Sequence, residues 1–214
     1  MIVALGGGSV IDSAKVFAAA GNGFEKIKKN LETKNDGQSL SSTPIIAVPS
    51  TSGTGSEVTC WATVWDKQNN HKYSLAHKNL FPELAIIDPK LMIEKPYELT
   101  LVTALDALSH ALESIWNINA NIISSSHATY SAKSILKILP NLLSDLSNIH
   151  LRTEMASASL SAGLAFSSTK TAIAHNLSYP ITLGWGVPHG IACSFTLPTI
   201  LKSVVGLGGF REAA

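Results

Sequence analysis

The chain of 214 residues is 45% hydrophobic and 14% charged, with a formal net charge of +1. This length and composition suffice for one large domain or parts of two, built around a sizeable core. A near-neutral charge without a basic stripe argues against nucleic acid as a partner. No apolar run is long enough to span a membrane, and the first residues lack the basic start of a signal peptide. We therefore expect a cytoplasmic protein without a membrane partner, whose two cysteines, Cys60 and Cys193, are buried thiols.

The first part of the chain alternates short apolar strands with loops and helices. A strand at residues 2–5 runs into the loop GGGS and then into a helix that continues through Ala20. Ser9 is predicted to cap this helix, Asp12 to lie in its first turn and Gly21 to end it. Residues 21–43 are polar and are predicted to be mostly loop with room for one short helix. Further strands are predicted at 44–49, 58–65, 72–76 and 83–88.

The second part of the chain has the apolar spacing of helices. They are predicted at 98–118, 122–147, 151–167, 171–183 and 189–204. The sequence thus predicts an α/β part over residues 1–92, followed by an all-helical part over residues 93–214. The chain opens directly on the strand before a glycine-rich loop and stops without a closing element, so we expect an internal piece or a truncated copy of a longer enzyme.

Four residues have the types and spacing of one metal site. Asp106 and His110 lie four residues apart in TALDALSHALE, which puts both on one face of a helix. His175 and His189 bracket the segment AHNLSYPITLGWGVPHG. One carboxylate with three imidazoles suits Fe(II) or Zn(II) and suits calcium or magnesium poorly.

Two glycine-rich loops each follow an apolar strand. Gly7, Gly8 and Ser9 precede a helix, where backbone N–H groups can hold a pyrophosphate, although a plain tight turn would give the same pattern. The loop does not match GxGxxG. The second loop, PSTSGTGSEVT, interleaves the hydroxyls of Thr51, Thr54 and Ser56 with Gly53 and Gly55, and its simpler interpretation is a polar turn. Two such loops together favour a nucleotide site.

Taken together, the motifs GGGSVIDSAK, PSTSGTGSEVT, ALDALSHALE and AHNLSYPITLGWGVPHG resemble the iron-containing (group III) alcohol dehydrogenase family in order and spacing. The resemblance implies a nucleotide-binding α/β domain of the dehydroquinate-synthase-like type, incomplete here at its N-terminus, and an all-helical metal-binding domain. It implies NAD or NADP, Fe(II) or Zn(II), a small alcohol or aldehyde as substrate, and a homodimer. Asp106, His110, His175 and His189 match the family's metal ligands.

The resemblance also assigns residues to the cofactor. Gly7, Gly8 and Ser9 would hold its pyrophosphate, and Asp12 would lie near the nicotinamide ribose or amide. The remaining cofactor residues are predicted to be Thr51, Thr54, Lys72 and Leu91.

Two residues bear on the substrate. Many members have a proton-relaying histidine where this chain has Tyr179. The hydroxyl of Tyr179 could relay a proton, or the side chain could be a packed aromatic without a catalytic role. Lys170, five residues before His175, could pair with an anionic tail of the aldehyde, or could lie on a solvated helix face. The segment around them looks most like the phosphonoacetaldehyde reductase branch of the family.

The predicted function is therefore metal-dependent, NAD(P)-linked alcohol dehydrogenation or aldehyde reduction, with an anionic aldehyde such as phosphonoacetaldehyde as substrate and a place in phosphonate metabolism. The alternatives are a dehydroquinate-synthase-like or polyol dehydrogenase relative, or a truncated remnant without catalytic activity.

Overall fold

The computed structural model describes residues 1–21, 23, 25, 27–28, 31, 40–66, 68–69 and 71–205. The chain forms two compact units. The first consists of Met1–Ser50 and Ser56–Asp88, and the second of Thr51–Gly55 and Pro89–Ala214. The domain limits predicted from the sequence, 1–92 and 93–214, stay a prediction.

The first unit is an α/β structure. Its strands are β1 (Ile2–Gly6), β2 (Ile45–Pro49), β3 (Trp61–Asp66), β4 (His71–Ala76) and β5 (Leu84–Ala85). The order β1-β2-β5 forms a parallel sheet, with Gly6 opposite Pro49, whereas β3 and β4 form an antiparallel pair. Both glycine-rich loops therefore follow strands that end at the same edge of the sheet, which is where α/β proteins bind ligands.

Helix α1 (Gly8–Ala20) starts earlier than the sequence predicted. Gly7 is its N-cap, so the prediction of Ser9 at that position is wrong, and Asp12 lies beyond the first turn. The reason is that β1 ends at Gly6, whose φ of 156° turns the chain directly into the helix. Gly21 is the C-cap with a φ of 53°, as predicted.

Several other predicted bounds shift in this unit. Strand β3 begins at Trp61 because Ser56–Val58 forms a short 3₁₀ turn, and β5 is limited to Leu84–Ala85. Most of the segment 21–43, predicted to be loop with one short helix, lies outside the described residues.

Lys15 connects α1 to the start of the β3–β4 pair through hydrogen bonds. Its ammonium is completely buried and donates to the carbonyl oxygen of Trp61 at 2.8 Å and to the hydroxyl of Thr59 at 3.2 Å. Burial lowers the pKa of Lys15 to about 8, against the opposing charges of Asp12 and Glu57.

The second unit is helical. Its helices are α2 (Tyr97–Ile115), α3 (Ile122–Ser144), α4 (Ile149–Thr169), α5 (Ile173–Trp185), α6 (His189–Ser194) and α7 (Leu197–Val204). The single helix predicted at 189–204 is two helices, because the chain turns at Phe195 and Thr196 and Pro198 opens α7. The predicted fold class, an α/β part followed by a helical part, is confirmed.

The core of this unit lies between α2, α3 and α4. Alanines at the contact let these helices approach closely, and larger aliphatic side chains fill the remaining space. Its buried members include Ala107, Ala111, Ile135, Leu142, Met155, Ala158 and Ala162. Among the described residues, no helix is long and apolar enough to cross a membrane.

Two buried cations lie at the start of α2, and one of them, Arg152, connects it to α4. The guanidinium of Arg152 donates to the hydroxyl of Thr100 at 2.9 Å and to the carbonyl oxygen of Lys95 at 2.9 Å. The ammonium of Lys95 donates to the hydroxyl of Thr103 at 3.1 Å. Burial and the charge of Arg152 lower the pKa of Lys95 to about 7.

We expect Lys95→Met to stabilise the protein at neutral pH and to flatten its pH dependence. Since the folded pKa is about 7 and the unfolded value is 10.5, the unfolded chain binds more protons in this window. The free energy of unfolding of the wild type should therefore rise with pH, by up to about 1.4 kcal/mol per pH unit from this group. Urea unfolding between about pH 7 and about pH 10 measures that slope. Lys133→Met, at an exposed position of α3, is the control. Equal slopes in wild type and Lys95→Met would contradict the expectation.

Candidate metal centre

The four predicted metal ligands come together in the helical unit. Asp106 and His110 lie one turn apart on α2, His175 lies in the first turn of α5, and His189 is the first residue of α6. From Oδ1 of Asp106 the distances to the Nε2 atoms are 3.5 Å for His175, 3.9 Å for His189 and 4.0 Å for His110. Three imidazole nitrogens thus surround one carboxylate oxygen.

The other nitrogen of each imidazole has a different partner. Nδ1 of His110 lies 3.3 Å from the carbonyl oxygen of Gly53. Nδ1 of His175 lies 2.5 Å from Oε2 of Glu113, and Nδ1 of His189 lies 3.3 Å from the hydroxyl of Ser178. The carbonyl and carboxylate oxygens accept from an Nδ1–H group, so the Nε2 atoms of His110 and His175 are the ones directed into the cluster. This is the tautomer that metal-binding histidines adopt.

The cluster fits a divalent cation. Oδ1 of Asp106 and Nε2 of His175 are both buried, and neither has a hydrogen-bond partner among the described residues. Buried polar atoms are rarely left so, because each unsatisfied group costs about 1–3 kcal/mol. A cation bound between them would satisfy both atoms, and one carboxylate with three imidazoles is a suitable donor set for Fe(II) or Zn(II).

The pKa values of two residues in the cluster favour the protonation states that bind a metal. Burial, assisted by His175 and His189 and opposed by Asp106, lowers the pKa of His110 to about 4. Burial alone would raise the pKa of Asp106, but the surrounding imidazoles hold it well below its ordinary value. At neutral pH, His110 is therefore neutral and Asp106 is ionised, which are the forms that bind metals.

Glu113 positions His175 and caps α5. Its carboxylate is fully buried, bonds to Nδ1 of His175, and accepts the backbone N–H groups of Ala172 at 3.0 Å and Ala174 at 2.5 Å. Burial alone would raise the pKa of Glu113, but these hydrogen bonds hold it below its ordinary value. Glu113 is not among the site residues predicted from the sequence. Glu113 follows Asp106 by seven residues, and that helical spacing was the available signal.

We expect Glu113→Gln to weaken metal binding about 10- to 100-fold, because losing the carboxylate partner of a ligating histidine has that cost. The single amide oxygen can still accept from the backbone N–H of Ala174 at the start of α5, so the fold should survive. Isothermal titration with Zn(II) measures the affinity. Glu154→Gln, at an exposed position of α4, is the control, and equal affinities for the two variants would contradict a positioning role for Glu113.

Three glycines bring the backbone around the site into contact. A Cβ at Gly190 would lie 2.0 Å from the carbonyl oxygen of Val102, and one at Gly53 would lie 2.8 Å from that of Thr103. Gly55, with a φ of 59°, packs against the ring of Phe166, which stacks on His110 at a centroid distance of 4.0 Å. Gly190, directly after His189, and the glycines of the second glycine-rich loop thus allow the close packing around His110 and His189.

The predicted cofactor residues of the α/β unit occupy two places. Gly7, Gly8 and Ser9 form the N-terminus of α1, where backbone N–H groups favour an anion. Oδ2 of Asp12 accepts the backbone N–H of Thr63 at 2.9 Å, while its Oδ1 is buried without a hydrogen-bond partner among the described residues. Lys72 on β4 is close enough to lower the pKa of Asp12, although burial is stronger and raises it overall.

The other predicted cofactor residues belong to the helical unit. Thr51 and Thr54 lie in its segment Thr51–Gly55, and Leu91 is 43% exposed in the 3₁₀ turn Pro89–Met92. Their contact with a nucleotide stays a prediction.

Tyr179 lies beside His189, and Lys170 ends α4. The half-buried ring of Tyr179 lies parallel to that of His189 at a centroid distance of 6.1 Å. Lys170 is exposed and ends α4 with a φ of 67°, the only positive φ at a non-glycine residue in the described part of the chain. Its carbonyl oxygen accepts from Asn117 and Thr169, which hold that backbone in place.

The cysteines are both free, with Cys193 buried and Cys60 only partly buried. The prediction that both thiols are buried is therefore wrong for Cys60, which immediately precedes the first residue of β3.

Comparison with known proteins agrees with these features. Residues 1–89 match the family model of the iron-containing alcohol dehydrogenases, and residues 100–205 match the model of the C-terminal part of that family. The structure thus has an α/β unit followed by a helical unit that carries the donor cluster. The chain belongs to the iron-containing alcohol dehydrogenase family, as the sequence motifs predicted.

Three similar proteins illustrate the range of the family. The probable alcohol dehydrogenase EutG of Escherichia coli is 35% identical, with 94% of this chain and 50% of EutG aligned. A phosphonoacetaldehyde reductase of Streptomyces viridochromogenes is 31% identical over 94% of this chain and 52% of its own. The crystal structure of a sulfoacetaldehyde reductase from Bifidobacterium kashiwanohense, in complex with NAD+, is 36% identical with a TM-score of 0.91, covering 96% of this chain and 55% of that one. The chain thus spans about half the length of these relatives.

Proposed function

We propose that this chain supplies the metal centre and part of the nucleotide site of an NAD(P)-dependent alcohol dehydrogenase that works as an aldehyde reductase. The observation that carries the proposal is the buried cluster in which three Nε2 atoms lie 3.5–4.0 Å from one oxygen of Asp106. Two donor atoms of that cluster, Oδ1 of Asp106 and Nε2 of His175, accept or donate no hydrogen bond within the described part of the chain, which supports a bound cation.

The residues would divide the work as follows. Asp106, His110, His175 and His189 would hold Fe(II) or Zn(II), and such an ion supplies Lewis-acid polarisation of a carbonyl oxygen. A nicotinamide cofactor supplies the hydride. The N-terminus of α1 would bind its pyrophosphate.

Tyr179 is our candidate for the proton relay. Its ring lies beside His189 rather than within the donor cluster, so its hydroxyl can serve the product oxygen without competing for the metal. A Tyr179→Phe substitution keeps the ring and removes only that hydroxyl.

As substrate we propose a small aldehyde with an anionic tail, a phosphonate or a sulfonate. Relatives named for phosphonoacetaldehyde and sulfoacetaldehyde support this choice. Within the chain, Lys170 supports it, because its strained backbone lies five residues before His175 and such strain clusters at functional sites, and its side chain is a cation.

The test compares aldehydes of equal size. We expect the purified protein, loaded with Fe(II) or Zn(II), to oxidise NADH or NADPH faster with phosphonoacetaldehyde or sulfoacetaldehyde than with a neutral analogue. Lys170→Asn should raise KM for the anionic aldehydes by about tenfold or more and leave the neutral one unchanged, because one charge-assisted pair is worth about 1.5–3 kcal/mol. At φ 67° and ψ 178° asparagine is strained just as lysine is, so the substitution removes the charge without relieving the backbone strain.

Lys137→Asn, at an exposed position of α3, is the control for that variant. Equal rates on anionic and neutral aldehydes would contradict the substrate class. If no aldehyde oxidised either nicotinamide, a dehydroquinate-synthase-like reaction or a non-catalytic role would be favoured instead.

A further inference from the structure

The thiol of Cys193 lies at the candidate metal centre. Cys193 follows His189 by four residues on α6, so both side chains occupy one face of that helix. Its side chain is fully buried, and its Sγ lies 3.6 Å from Nε2 of His189. One donor atom each from Asp106, His175, His189 and Cys193 can be chosen so that all four lie within 4.8 Å of one another.

Two donor sets therefore share the same core. Asp106, His175 and His189 belong to both, and the fourth position is filled by His110 in one set and by Cys193 in the other. The buried, unpartnered atoms described above, Oδ1 of Asp106 and Nε2 of His175, belong to the shared core, so they point to a ligand in either case.

The surroundings of the sulfur differ from those of a cysteine that only packs. A structural free cysteine behaves as a small hydrophobe among apolar groups. Here Sγ contacts both ring nitrogens of His189, at 3.6 Å and 3.8 Å. The sulfur thus lies against a nitrogen donor of the site.

We propose that Cys193 is a sulfur ligand of the metal centre and that it shifts the preference of the site from Fe(II) towards Zn(II) or Co(II). The inference rests on the metal centre of the proposed function. On binding, the thiol loses its proton to solvent and the thiolate forms a bond to the cation. Thiolates are soft ligands that favour zinc, whereas a set of only imidazole and carboxylate donors also suits iron.

Cobalt titration of the purified chain tests this ligand directly. Co(II) bound to a thiolate shows an ultraviolet charge-transfer band, and Co(II) bound only to nitrogen and oxygen donors does not. We expect the band in the wild type, its loss in Cys193→Ser and Cys193→Ala, and its full retention in Cys60→Ser, the matched control with the other thiol removed. In competition, Cys193→Ser should lower the preference for Zn(II) over Fe(II) at least tenfold.

A second measurement needs no variant and so does not depend on how the variants fold. X-ray absorption of the Zn(II)-loaded wild type should show one sulfur at about 2.3 Å besides nitrogen and oxygen at about 2.0–2.2 Å. Stoichiometric metal binding without a sulfur neighbour or a charge-transfer band would overturn the role of Cys193 and leave the metal centre intact. Failure of the wild type to bind any of the three ions would overturn the metal centre itself, and the role of Cys193 with it.

Discussion

Asp106→Asn is expected to weaken metal binding by more than about 100-fold, beyond the cost of losing a group that only orients a ligand. The carboxylate oxygen is the atom that the three Nε2 atoms surround, at 3.5–4.0 Å. Asparagine keeps the size of the side chain but removes the negative charge, so three imidazoles would face a neutral group. Metal content after dialysis and isothermal titration with Zn(II) measure the loss, and nicotinamide-linked activity should disappear with it.

The control for this variant is Asp145→Asn. Asp145 is an exposed carboxylate after α3 whose partners are Ser147 and Asn148, away from the donor cluster. The Asp145→Asn protein should bind metal with wild-type affinity. An Asp106→Asn protein that retains its metal at wild-type affinity would show that Asp106 is not a ligand.

Gly190→Ala is expected to destabilise the fold by about 3 kcal/mol or more and to weaken metal binding at the same time. The new Cβ would lie 2.0 Å from the carbonyl oxygen of Val102 and 3.1 Å from the backbone nitrogen of Asp106. Neither atom can move alone, because both belong to the backbone of α2. Helix α6 must shift instead, and it carries His189 away from Asp106.

Gly184→Ala provides the same chemical change without the collision. A Cβ at Gly184, inside α5, would meet nothing within 4 Å. Alanine there should stabilise the helix by about 0.5–1 kcal/mol, since glycine is the poorer helix former. Urea unfolding measures both variants, and equal stabilities would contradict the close packing of α6 on α2.

Much of this fold follows from local sequence signals. The spacing of apolar residues predicted α2, α3, α4 and α5 to within about four residues at each end, and the strands β1 and β2 to within one residue. These elements bury a continuous apolar face, so their periodicity is strong. Strand β5 was predicted too long because only two of its residues pair with β2, and pairing is a property of the neighbour.

The candidate site divides in the same way. The convergence of Asp106 and His110 follows from helical spacing, and the family motifs pointed to His175 and His189. The partners of the other ring nitrogens could not be predicted, because they depend on how the elements pack. Glu113 reaches His175 across 62 residues of chain, and the carbonyl of Gly53 reaches His110 across 57.

The segment Thr51–Gly55 belongs to the helical unit although the chain on either side of it belongs to the α/β unit. The orientation of His110 therefore depends on a contact that closes a long loop, and such contacts form late and slowly during folding. In stopped-flow refolding, we expect high-affinity cobalt binding to appear after most of the helical circular dichroism signal has recovered. During folding, the chain would then pass through a state that is already helical but does not yet bind the metal tightly.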